Sequence, residues 1–301
     1  MYMIKKDILI SGAIVLIFIV LIIVFLFTKV YTTSNTGRII PINNHIKYID
    51  VSPNENYTEL LKSEGDIPDS DSKDIIIGDN VVTLKYTIES PGDFIKKINK
   101  RFNPMKLLEF CFIKTIGLVY GPDIREATRN IHFILRSHPV GDQDKYAGAR
   151  TFLIKGVHVI DTNFDFISKI YAETTQYDFD MYYIGLLIHE ISHTLKDNFC
   201  NGPYFEQSRR LLMENLSEYF RFVSGYYRKD RMFLLKSKKQ KVSEYYGPEG
   251  AWFIYWLTTI NKDILPDLHL YSRGYIKDPV YVKHTGKTEK QLWKEFQKVL
   301  P

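Results

Sequence analysis

Four side chains in this sequence have the types and spacing that metal-assisted hydrolysis needs. His189, Glu190 and His193 lie in I-G-L-L-I-H-E-I-S-H-T-L-K-D, the pattern H-E-x-x-H. Residues four apart on a helix share a face, so the two imidazoles can meet one ion, and imidazole suits zinc. Glu190 is turned to the flank, where a carboxylate can take the proton of a water that zinc acidifies to a pKa of ~7. The place of a third histidine, six residues after His193, is filled by Phe199, and Lys196 replaces the turn-forming glycine. The H-E-x-x-H-x-x-G-x-x-H class is thereby excluded. The next helical stretch, L-L-M-E-N-L-S-E-Y-F-R-F over Leu211 to Phe222, carries Glu214 and Glu218 one turn apart. Glu214 completes a His, His, Glu set, and Glu218 falls where a carboxylate orients a ligand histidine through its other nitrogen. Those two roles can be exchanged. The bland alternatives are a pair of packing histidines and a solvated glutamate pair; the joint presence of all four positions weighs against them.

The elements that must position these groups follow from periodicity. Tyr183, Leu186, Leu187 and Ile191 bury the motif helix, and Asp178 and Asp180 lie where its N-terminus is capped. Upstream, Ile75 to Ile77, the turn G-D-N and Val81 to Ile88 read as a hairpin or edge strands. Pro91 to Phe102 and Leu107 to Val119 read as helices. Ile131 to Arg136 and Thr151 to Asp161 read as strands, with His132 and His158 at surface-facing positions. Thr151 to Val159, the last strand before the motif, is the candidate edge for holding an extended substrate by main-chain pairing. Downstream come the aromatic helix G-P-E-G-A-W-F-I-Y-W-L and the amphipathic Lys287 to Val299. Tyr226, Tyr227, Tyr245 and Tyr246 are candidates to stabilise an oxyanion, and packing is the better reading of each.

The chain has 301 residues and a net charge of +5, so no strongly basic surface points to nucleic acid. The basic run Lys236 to Lys241 reads as a solvated loop. Ile8 to Phe27 is charge-free and matches the ~20 residues that cross ~30 Å of hydrocarbon. It reads as an uncleaved signal-anchor, since its apolar core is longer than that of a cleaved signal peptide and runs into Thr28, Lys29, Val30 and Tyr31, not into a small-residue cleavage site. The domain plan is a tail over 1–7, a transmembrane anchor over 8–27, a polar stem over 28–73 and a catalytic domain over 74–301. Lys5 and Lys6 before the span favour an orientation with the catalytic domain lumenal or extracellular. Asn56-Tyr57-Thr58 is a glycosylation acceptor in keeping with that side; Asn215-Leu216-Ser217 matches the same pattern inside the proposed ligand helix and reads as fortuitous. Two cysteines, Cys111 and Cys200, permit one disulfide at most. Cys111 reads as a buried small hydrophobe, and Cys200 is the one supplier of a fourth ligand if the zinc were structural.

The order H-E-I-S-H, L-M-E-N-L-S-E-Y-F-R-F-V-S-G-Y-Y, G-P-E-G-A-W-F and T-G-K-T-E-K-Q-L-W-K-E-F resembles the plant basic secretory protein family, and more broadly the Glu-zinc (thermolysin-like) metallopeptidases. The resemblance spans Ser90 to Val299. It implies a zincin-like fold, zinc ligands His189, His193 and Glu214, Glu190 as base, and Glu218 at the family's Asp position. The chain departs from the pattern at Asn215-Leu216-Ser217, where the family has G-I-A, and at Ala251, where it has a Tyr. The N-terminal anchor is extra to the family pattern.

The resulting expectation is an α+β, zincin-like catalytic domain behind a membrane anchor. A small sheet precedes the H-E-x-x-H helix and a helical C-terminal half follows. The expected activity is zinc-dependent hydrolysis of peptide bonds in proteins or peptides. The competing expectation is an inactive zincin-like surface protein with a binding role.

Overall fold

The computed structural model describes residues 56–77, 80–89, 92–120, 130–137, 147–195, 207–227, 248–277 and 279–299. The expected anchor Ile8 to Phe27 lies outside them, and no helix among the described residues is long and apolar enough to cross a membrane.

Strict alternation in V-V-T-L-K-Y-T-I makes strand β2 (Asn80–Ile88), which buries Val82, Leu84, Tyr86 and Ile88 on one face. It pairs antiparallel with β1 (Ser70–Ile77). β1 begins before Asp74, and a single helical turn ahead of it, α1 (Tyr57–Leu61), buries Tyr57 and Leu61. The end of the polar stem stretch therefore enters the core, because two apolar side chains four apart share one helical face.

Helices α2 (Asp93–Arg101) and α3 (Pro104–Tyr120) lie between β2 and its parallel neighbour β3 (Ile131–Leu135). Cys111 on α3 is free and buried, and burial pushes its thiol pKa up, as a small core hydrophobe behaves. Cys200 lies outside the described residues.

The stretch Thr151 to Asp161 is not one strand. Lys155 and Gly156 both take positive φ, 47° and 83°, the backbone of a two-residue hairpin turn, which the glycine makes accessible. The hairpin strands are β4 (Ala149–Ile154) and β5 (Val157–Thr162). The sheet order is β1-β2-β3-β5-β4, with β3 and β5 parallel and β4 antiparallel to β5. Among the described residues β4 is thus an edge, and β5 lies between two strands. His158 is 5% exposed rather than surface-facing, because the register sets it beside Ile131 and Leu84 on the buried face of the sheet. His132, on β3, is half-buried, with Nε2 2.9 Å from Thr87 Oγ1. Burial, then the charge of Lys85, lowers its pKa.

Helix α4 (Phe164–Glu173) leads into α5 (Gln176–Thr194), which carries the H-E-x-x-H residues. The N-cap of α5 is Thr175, whose hydroxyl oxygen accepts from the Asp178 N–H at 3.1 Å. Asp180 is one turn too far along to cap. It is buried instead, bound bidentately by Arg101, with Gln176 Nε2 at 3.1 Å. Nearly every residue from Phe179 to Ser192 is buried, so α5 runs through the core over that span.

The C-terminal half is α6 (Gln207–Val223), α7 (Pro248–Ile260), α8 (Ile264–Ser272), α9 (Val280–Thr285) and α10 (Glu289–Val299). Phe253 on α7 packs its ring against Trp293 and Phe296 of α10, centroids 5.1 and 5.5 Å away. Thr288 and Gln291 form a reciprocal capping box at the start of α10, with Thr288 N–H to Gln291 Oε1 at 2.8 Å and Gln291 N–H to Thr288 Oγ1 at 3.3 Å. The Gln of G-K-T-E-K-Q-L-W therefore has a structural task.

Candidate metal centre

One turn of α5 and one of α6 meet so that three donor atoms converge. His189 Nε2 and His193 Nε2 are 3.2 Å apart. Glu214 Oε2 is 3.3 Å from the first and 3.5 Å from the second. A tetrahedral zinc with bonds of ~2.0–2.1 Å requires its ligand atoms ~3.3 Å from one another, so the triangle already has the right size. Among the described residues, His189, His193 and Glu214 are the group that can hold a metal ion. The donor set of two imidazoles and one carboxylate fits zinc. His189 is buried, while the side chains of His193 and Glu214 retain 13% and 26% exposure, so the centre opens toward solvent on that side. Burial raises the Glu214 pKa, but His193 and His189 outweigh it and hold the carboxyl well below the usual range.

Glu218, the exchangeable partner in the sequence, stands behind His189. Its Oε1 is 3.0 Å from His189 Nδ1, which places the imidazole proton on Nδ1 and leaves the Nε2 lone pair for a metal. Burial pushes the Glu218 carboxyl up, yet the Arg221 guanidinium and hydrogen bonds from His189 and Tyr227 bring it to about 2. Arg221 Nη1 lies 3.5 Å from Glu218 Oε1. Tyr227 therefore serves the carboxylate behind His189, and Tyr226 packs in the core against Tyr57 and Phe110. Tyr245 and Tyr246 lie outside the described residues, as does Cys200. Replacing Glu218 by Gln should weaken zinc affinity by about 10–100-fold, read by competition with a chromophoric chelator.

The second histidine is held differently. His193 Nδ1 is 3.5 Å from Ser217 Oγ, which lies 2.5 Å from Ser192 Oγ across the α5–α6 contact. Glycines allow close approach at two contacts, of α5 with the turn after α6 and of α6 with α7. A Cβ on Gly185 would collide with the Tyr226 carbonyl oxygen, and a Cβ on Gly250 of α7 would collide with the Asn215 side chain. Asn215 is fully buried there, so Asn215-Leu216-Ser217 is closed to glycosylation, whereas Asn56 is exposed.

Two contributors were invisible in the sequence. Arg273, 1% exposed, donates to the carbonyls of Ser192 at 2.8 Å and His193 at 3.1 Å, satisfying the end of the motif helix with a cation. Thr151 on β4 donates toward Glu190, with Oγ1 2.8 Å from Oε2 and 3.0 Å from the Glu190 carbonyl oxygen. Both are distant in sequence from what they touch, and no spacing rule reaches across such separations. Glu190 itself is 6% exposed and is not among the three converging donors. His132 and His158 are not among them either.

Comparison with protein-family models, with curated proteins and with solved structures found no match.

Proposed function

We propose that the chain is a zinc-dependent metallopeptidase of the zincin type, similar to basic secretory proteins, held at a membrane by Ile8 to Phe27 with its catalytic domain lumenal or extracellular. The observation that carries this is the preformed His189, His193, Glu214 triangle with an acidic side chain, Glu190, beside it that is not a ligand. Three protein donors leave the open position that catalytic zinc sites keep, whereas structural sites close with four; Cys200, the one supplier of a fourth, lies outside the described residues.

A zinc ion bound by His189, His193 and Glu214 supplies Lewis acidity and lowers the pKa of water to ~7. The chain's own residues do the rest. Glu190 accepts the proton of the attacking water and passes it to the leaving amine. Glu218 keeps His189 in the tautomer that presents Nε2. β4, an edge strand among the described residues and packed beside α5, would offer its main chain to an extended peptide as an added strand. Proteins or peptides able to become locally extended are thus the substrate class.

The test is zinc content and turnover on one preparation of the full-length protein. One zinc per chain and cleavage of an unfolded protein that a chelator stops and added zinc restores is the expected result. Zinc without cleavage would favour the binding role, and a folded protein without zinc affinity would sink the assignment.

A further inference from the structure

Resting on that reading of the site, we infer that Thr151 is a positioning residue for Glu190 and mechanically joins the general base to the substrate-binding edge. Thr151 is on β4, and its hydroxyl reaches Glu190 at 2.8 Å to Oε2 and 3.0 Å to the main-chain oxygen. The hydroxyl has one proton, and the charged carboxylate is the stronger acceptor. With Oε2 engaged, Oε1 remains to meet water. A β-branched side chain has a restricted χ1, so the direction of that hydroxyl is set by the strand itself. Glu190 is nearly buried, and a buried carboxylate deprived of a donor becomes both costly and mobile. Docking of a peptide on β4 therefore bears on the same strand that aims the base.

Thr151→Val preserves shape and removes the donor; Thr151→Ser preserves the donor and relaxes its direction. In the full-length enzyme with a peptide substrate, Thr151→Val should lower kcat by about 10–100-fold, the scale of a small misplacement of a catalytic group. KM should stay within about 2-fold, because the lost interaction concerns the base and not uniform binding. Zinc content should not change, and Thr151→Ser should recover most of kcat. A wild-type kcat in Thr151→Val, a loss confined to KM, or a serine variant no better than valine would overturn the inference. A readout free of turnover separates this inference from the peptidase reading. In thermal unfolding of chelator-treated protein, the Thr151→Val and Glu190→Ala cycle should be non-additive by roughly 3–10 °C, as for a hydrogen bond to a charged acceptor. Non-additivity in a protein that cleaves nothing would keep the contact and retire the peptidase; an additive cycle would retire the contact whatever the activity.

Discussion

Glu190→Gln should abolish most turnover while leaving zinc in place: kcat falls by about 10³-fold, within the range a general base contributes, and metal content stays at one per chain. Glutamine is isosteric and its carbonyl still accepts from Thr151 Oγ1, so packing is retained and only proton acceptance is lost. The three converging donors are His189, His193 and Glu214, none of which the substitution touches. Zinc assay and steady-state kinetics on the same preparation check both halves. Loss of zinc with the activity would mean Glu190 is a ligand. Undiminished activity would place the base elsewhere.

Gly185→Ala should be as damaging, by a route that never touches a ligand. Gly185 lies one turn before His189 on α5. A Cβ there falls well inside contact distance of the Tyr226 carbonyl oxygen and 2.7 Å from Arg221 Nε. The nearest obstacle is backbone, which cannot swing away as a flexible side chain can, so the cost lies at or above the upper end of overpacking, about 3 kcal/mol. For a domain of this size that corresponds to a melting temperature lower by roughly 6–12 °C. The displaced Arg221 also supports the candidate metal centre. Arg221 and Tyr227 hold Glu218, and Glu218 holds His189, so zinc affinity should fall together with stability. Thermal unfolding with and without zinc measures both. An unchanged melting temperature would show that α5 and the turn after α6 separate more easily than this packing implies.

Helical spacing is a local property, and it was enough to put His189 and His193 on one face of α5 with Glu190 at its flank, and Glu214 with Glu218 on one face of α6. Strand alternation likewise located β2 from Val82, Leu84, Tyr86 and Ile88. Three matters were beyond any local rule. Which glutamate joins the histidines depends on how α5 crosses α6, and that crossing is set by Gly185 against Tyr226 and Ser192 against Ser217, pairs that meet only in three dimensions. The cap of α5 fell to Thr175 and not to Asp180, which lies a turn too far into the helix and is bound in the core by Arg101, from a helix far upstream. The run from Thr151 to Asp161 reads as one strand until two residues take left-handed backbone; the turn makes β4 an edge among the described residues, and the pairing of β5 with β3 sets His158 beside buried Ile131. Composition and spacing sufficed for the residue types and their order along the chain. Convergence of three donor atoms to within 3.2–3.5 Å belongs to the tertiary structure, because it depends on contacts between residues that the sequence keeps far apart.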